Sequence, residues 1–291
     1  MVRMKTTITQ LHQSQQSKLI WKGNFIKIDG VRIHYVEKGK GSPLLLVHGL
    51  GAYSFTWRHN LDELAKQFRV IAVDLKGFGF SEKPVGPGYS IDHHVKIMAS
   101  FISQLGLGQV DYVGSSMGGE IGLRLCLKHP DLIRKLILVG SSGYRDRLPL
   151  WVKMLGHLPY KSFIKTYIQS KYLRVEVLAE MFKGAYHDPN VLSDEEIKQY
   201  LSPIYTQGFE ESYLTMLREF DFGKCKDQYD QVTHSSLILA AEHDLVIPME
   251  HSKQLHRDLP QSEFIVLPKC GHFLHEEKSQ ETNQLILEFL H

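Results

Sequence analysis

Cysteine is scarce in this chain: Cys126, Cys225 and Cys270 are the only three in 291 residues, widely spaced and without a C-x-x-C pair. That usage excludes a disulfide framework and a cysteine-built zinc site, and makes a reducing, cytoplasmic compartment the expectation. Long apolar runs are missing too. Nothing reaches the length of a membrane span, and the stretch from Met1 to Lys22 is rich in Thr, Gln and Ser rather than carrying a secretory h-region. Charge of one sign is also lacking: 34 Lys and Arg stand against 32 Asp and Glu, a net charge of +2, which is too balanced for a protein that neutralises nucleic-acid phosphates. No internal repeat is visible, and no low-complexity segment apart from the polar tail.

What is present is enough apolar material for a packed interior, 43% of the chain, at a length that predicts two domains or one large core with an insertion. Phe25 to Ile28 and Val31 to Val36 alternate around Asp29-Gly30, which predicts a hairpin whose turn needs positive φ angles. Continuous apolar runs follow at Pro43 to Val47, Arg69 to Val73, Val110 to Val113, Leu136 to Val139, Leu237 to Ala240 and Phe264 to Leu267, as in strands buried on both faces. Helical spacing between them predicts helices over Trp57 to Phe68, Ile91 to Leu105, Met117 to Lys128, Met249 to Leu259 and Glu276 to Leu290. The alternation predicts an α/β fold with a mostly parallel sheet flanked by helices, whose functional residues gather at the carboxyl ends of the strands.

The rhythm breaks over residues 144–232, where aromatic-rich helical patterns such as Leu150 to Leu155 and Tyr200 to Leu217 replace buried strands. We read this as a helical cap inserted into a core formed by 1–143 and 233–291. Its first half is basic and its second half acidic, the pattern expected of solvated helix faces.

The chemistry centres on Val113-Gly114-Ser115-Ser116-Met117-Gly118-Gly119. Glycines two before and two after Ser116, at a strand-to-helix turn, remove the side chains that would collide there and push one hydroxyl out above the sheet. Ser115 lacks such a frame. A serine needs a base, and the base an anionic partner. His272 hangs on the loop after the last strand, with His275 as its nearest rival; Asp244 lies in the loop after Leu237 to Ala240, with Glu242 nearer the strand end.

In the chain order Ser116, Asp244, His272, and in His48-Gly49-Leu50-Gly51, Asp74 to Ser81 and Gly271-His272-Phe273, the sequence resembles an α/β-hydrolase of the serine-nucleophile branch with a helical cap. The resemblance implies a Ser-His-Asp triad, an oxyanion hole from the Leu50 and Met117 N–H groups, a loop-shaping role for His48, and no metal or cofactor. Asp74 to Ser81 also resembles epoxide hydrolases and haloalkane dehalogenases, whose nucleophile is a carboxylate where this chain has Ser116. The expected activity is hydrolysis of an apolar carboxylic ester through an acyl-enzyme. Two alternatives stand beside it: a carbon–carbon bond hydrolase of the meta-cleavage-product type, from whose usual pattern Ser115 and the His-Gly-Leu-Gly loop depart, and a non-enzymatic ligand receptor on a hydrolase fold.

Overall fold

The computed structural model describes residues 21–144, 180, 183–219 and 221–291. The polar stretch before Trp21, the helical pattern at 150–155 and the basic half of the predicted cap lie outside them. Among the described residues eight strands, numbered in chain order, form one sheet with the spatial order β1-β2-β4-β3-β5-β6-β7-β8. β1 (Asn24–Ile28) and β2 (Val31–Lys38) make the predicted hairpin, with positive φ at Asp29 (48°) and Gly30 (86°). β2 runs antiparallel to β4 (Arg69–Val73); from there every pairing is parallel, through β3 (Pro43–Val47), β5 (Val110–Ser115), β6 (Ile133–Val139), β7 (Ser236–Ala241) and β8 (Ser262–Leu267).

The apolar runs of β3 to β7 become central strands because helices cover both faces, whereas the run Phe264 to Leu267 lies in β8, an edge strand with Phe264 and Ile265 only half-buried and Val266 exposed. Leu45 and Val47 point into one apolar layer while Leu44 and Leu46 point into the other, all fully buried. Each such side chain contributes about 1.5–3 kcal/mol by leaving water. α1 (Ile91–Gln104) and α2 (Met117–Lys128) pack together on the first layer, and α1 is capped by Ser90, whose side chain accepts from the His93 N–H. Among the described residues no helix is long and apolar enough to cross a membrane. All three cysteines are buried and free.

Three predicted helices differ in the structure. Trp57 to Phe68 is instead a 3₁₀ turn at Ser54–Trp57 and one α turn at Leu61–Leu64. Its apolar spacing is satisfied, since Trp57, Leu61, Leu64 and Phe68 are all buried, but Asn60 between the turns donates to the His275 carbonyl and to Asn283 and fixes the break. Tyr200 to Leu217 divides into α3 (Asp194–Leu201), a 3₁₀ turn at Ser202–Tyr205 that begins around Pro203, and α4 (Phe209–Glu219). Proline has no N–H to continue the helical ladder. At the C-terminus, the non-helical dihedrals of Lys278 separate the turn Leu274–Glu277 from α6 (Ser279–Leu290), while α5 (Met249–Asp258) follows its prediction closely.

The acidic half of the insertion departs from a set of solvated faces. Glu196 accepts from Arg58 at 2.7 Å, Glu219 from the Gly88 and Tyr89 N–H groups at 2.9 and 2.6 Å, and Asp221 from the Ile91 N–H at 2.9 Å. These carboxylates anchor the described part of the insertion to the core.

Candidate active site

Ser116 stands between β5 and α2 with φ 52° and ψ −116°, a conformation that costs of order 1–3 kcal/mol for a residue with a side chain. The surroundings hold it there. Its N–H donates to the Val139 carbonyl at 3.0 Å, and its carbonyl accepts from the Gly119 and Ser142 N–H groups at 3.0 and 3.1 Å. The flanking glycines are required by contact: a Cβ on Gly114 would lie 2.6 Å from the Gly119 nitrogen, and one on Gly118 would lie 2.8 Å from the His48 carbonyl oxygen. From Val110 to Cys126 every residue is buried except Ser116, which is partly open. Ser115, by contrast, is only 2% exposed.

His272 and Asp244 are brought together by the ends of β7 and β8. The His272 Nδ1 and Asp244 Oδ2 atoms are 2.8 Å apart, while Asp244 Oδ1 accepts the Val246 and Ile247 N–H groups at 2.8 Å each. Those two donors fix the carboxylate, which in turn fixes the ring. Because the carboxylate only accepts, Nδ1 carries the hydrogen and Nε2 has the free lone pair. The pair and the serine converge on the end of β6. A Cβ on Gly140 would lie 3.3 Å from Asp244 Oδ2 and 3.4 Å from His272 Nδ1, and the preceding residue, Val139, is the one that accepts the Ser116 N–H. The stretch Gly140 to Gly143, which carries no acid, thus matters as the bed on which the pair rests.

The loop after β3 meets the serine from the other side. Gly49 approaches so closely that a Cβ there would lie 2.8 Å from the Ser116 Cβ. Among the described residues, none accepts a hydrogen bond from the Leu50 or Met117 N–H. His48 is fully buried: its Nε2 accepts the Leu75 N–H at 3.0 Å, so Nδ1–H donates to the Gly49 carbonyl at 2.7 Å. Burial pushes its pKa down, keeping it neutral in that tautomer.

Asp74, at the end of β4, is a structural hub. It accepts from His34 at 2.8 Å and from the Ser54 and Phe80 N–H groups at 2.7 and 2.8 Å. Burial alone would raise its pKa, yet the hydrogen bond and charge of His34 hold it below the ordinary carboxylate range. His275 is fully buried against Trp57, with ring centroids 4.3 Å apart, and bonds Thr56 at 2.8 Å. Glu242 accepts the Lys269 N–H at 2.9 Å, and neither it nor His275 joins the Asp244–His272 pair. Among the described residues no three His, Cys, Asp or Glu side chains are grouped as metal ligands.

The model of the alpha/beta hydrolase fold family matches residues 42–279. An uncharacterised hydrolase of Bacillus subtilis is 30% identical over 266 residues, covering 90% of this chain and 96% of its own. A 2-hydroxy-6-oxo-2,4-heptadienoate hydrolase of Pseudomonas putida is 29% identical over 279 residues, covering 92% of this chain and 96% of its own. Among solved structures, a meta-cleavage product hydrolase of Pseudomonas fluorescens IP01 superposes with a TM-score of 0.78 at 23% identity, over 92% of this chain and 97% of that one, a likeness of fold. With the family model spanning the chain from the start of β3 to the start of α6, and a relative 30% identical over 90% of its length, the chain belongs to the α/β-hydrolases.

Proposed function

We propose that the chain is a serine hydrolase in which Ser116 is the nucleophile, His272 the base and Asp244 its anionic partner, with the Leu50 and Met117 N–H groups receiving the oxyanion. The observation that carries this reading is the 2.8 Å His272–Asp244 bond, because with Nδ1 committed only Nε2 remains to take the serine proton. Backbone donors with no other acceptor among the described residues supply what a developing alkoxide requires. A carboxylate-nucleophile mechanism has no counterpart at this turn, where residue 116 is serine.

For the substrate, the relatives favour the carbon–carbon reading over the carboxylic ester first expected, since the Pseudomonas putida relative carries the name of a 2-hydroxy-6-oxo-2,4-heptadienoate hydrolase. Cleavage of such a dienol begins with ketonisation, which moves the enol proton to C5. Ser116 then adds to the C6 ketone as His272 takes its proton. Collapse of the tetrahedral oxyanion breaks C5–C6, and the electron pair departs into a dienolate conjugated with the C2 carbonyl, which takes up the proton held by His272 and so returns the imidazole to its neutral form. Water, deprotonated by His272, frees the acyl group from Ser116. The dienolate end carries a carboxylate and calls for a cation. The basic residues between Arg145 and Arg174, outside the described residues, are the candidates in sequence.

Ester hydrolysis is the second reading, favoured by Ser115 and the His48-Gly49-Leu50-Gly51 loop, which depart from the usual carbon–carbon pattern; here His272 would protonate a leaving alkoxide. The hydrolase relatives support either enzyme over a ligand receptor. Loss of the colour of a ring-fission dienoate, measured beside release of p-nitrophenol from short-chain esters, separates the readings. A dienoate kcat/KM at least about tenfold above the ester value supports the first, and the reverse ratio supports the second. Turnover of both that survives Ser116→Ala rejects the serine mechanism.

A further inference from the structure

The loop that carries His272 is held by the insertion as much as by the core. Its His272 N–H donates to the Ala185 carbonyl at 2.8 Å. Glu277 bridges the two segments: Oε2 accepts the Gly271 N–H at 2.6 Å, and Oε1 accepts the His187 and Asp188 N–H groups at 3.0 Å each. Gly271 allows this approach, since a Cβ there would lie 2.6 Å from the Ala185 oxygen and 2.7 Å from the His187 nitrogen. The Tyr186 ring stacks on Phe273 with centroids 4.8 Å apart.

Glu276 repeats the arrangement with side chains. Its carboxylate, wholly buried, accepts from Tyr186 at 3.0 Å, from Arg58 at 2.6 Å, from Thr56 at 2.5 Å and from Tyr200. Arg58 reaches on to Glu196 in α3. Two successive carboxylates therefore gather donors from residues 186–200 on one side and from the core on the other.

We propose that Glu276 and Glu277 are positioning residues that tie the seating of the segment 185–200 to the placement of His272. The proposal rests on His272 being the base. If that segment lifts, the His272 main chain loses its acceptor and the Glu277 bridge opens, so the base is in place only while the segment is seated. A misplacement of about 1 Å at a reacting group costs on the order of 10²-fold in rate.

Glu277→Gln cuts this bridge while keeping its shape. A carboxylate accepts on both sides, whereas an amide must turn its NH₂ towards one of them and oppose the N–H groups there. On whichever substrate gives Ser116-dependent turnover, we expect kcat per titrated active site to fall by about 10–100-fold with KM changed less than about threefold. The acidic limb of the kcat/KM profile should also move, because the surroundings of the base change; loss of folded protein alone would scale the profile without moving it. If Glu277→Gln does not fold, Tyr186→Phe combined with Tyr200→Phe, which removes two hydroxyl donors, is read in the same way. A kcat and acidic limb that match wild type overturn the proposal. His272→Ala keeps the two readings apart: if it remains active, the base assignment fails and the latch with it. If it is inactive while the latch variants match wild type, the latch alone fails.

Discussion

Ser116→Ala should lower kcat by on the order of 10⁴–10⁶ with the fold kept, whereas Ser115→Ala, at a site closed to substrate, should be mild; steady-state kinetics with circular dichroism as the fold control decides. A second expectation at this scale concerns Glu196. Burial opposes its charge, but the Ser193 hydrogen bonds and the Arg58 guanidinium hold its pKa down at about 2, against an ordinary 4.5. A carboxyl depressed in the folded state contributes stability that is fully present above its unfolded pKa and is lost as pH falls towards the folded one. Between pH 4.5 and about 2, wild type should therefore lose stability more steeply than Glu196→Gln, as urea titrations at stepped pH would show. Equal slopes would mean that Glu196 gains nothing from its partners. Among single residues, Ser116 is legible in the sequence because its glycine frame is local. Asp74 and His34 are not: their bond joins β2 to the end of β4 across forty residues, and neither neighbourhood hints at the other.

At the scale of elements, α2 is fixed through a buried ion network. Arg124, fully buried, reaches Glu120 at 2.5 Å, Asp221 at 2.8 Å and Asp92 at 3.0 Å, which joins α2 to α1 and to the segment returning from the insertion. Removing one partner strands the others. Arg124→Met should cost about 3–5 kcal/mol in chemical unfolding, and adding Glu120→Gln should recover part of that loss; a double variant no more stable than the single would refute the coupling. The central strands were readable as apolar runs, since burial on both faces leaves a mark in every residue. Helix breaks at Asn60 and Lys278 were hidden, because the Asn60 break depends on partners more than two hundred residues away. For the same reason Glu276 and Glu277 looked like the first turn of a helix, and only the fold brings Tyr200 across seventy-six residues to Glu276.

For the molecule as a whole, residues 144–232 should govern which substrate is taken, as they fill the interval between β6 and β7, whose carboxyl ends carry the candidate site. Apolar-to-alanine changes from Trp151 to Phe222 should shift kcat/KM ratios between short and long acyl groups by about 10–200-fold without abolishing turnover of a small activated substrate. Unchanged ratios throughout would assign the insertion to something other than selection. Whether it moves during turnover can be followed directly, because of how the three cysteines are kept. Burial raises the thiol pKa of Cys126 and Cys270, the latter to about 12, and Cys225 is only 7% exposed. Little thiolate meets solvent, so the native chain should be silent to maleimides and disulfide reagents. One cysteine placed at Val191, 38% exposed and within the segment that Glu277 holds, would then be the single reactive thiol, and a fluorophore there would report any motion of that segment against a dark background.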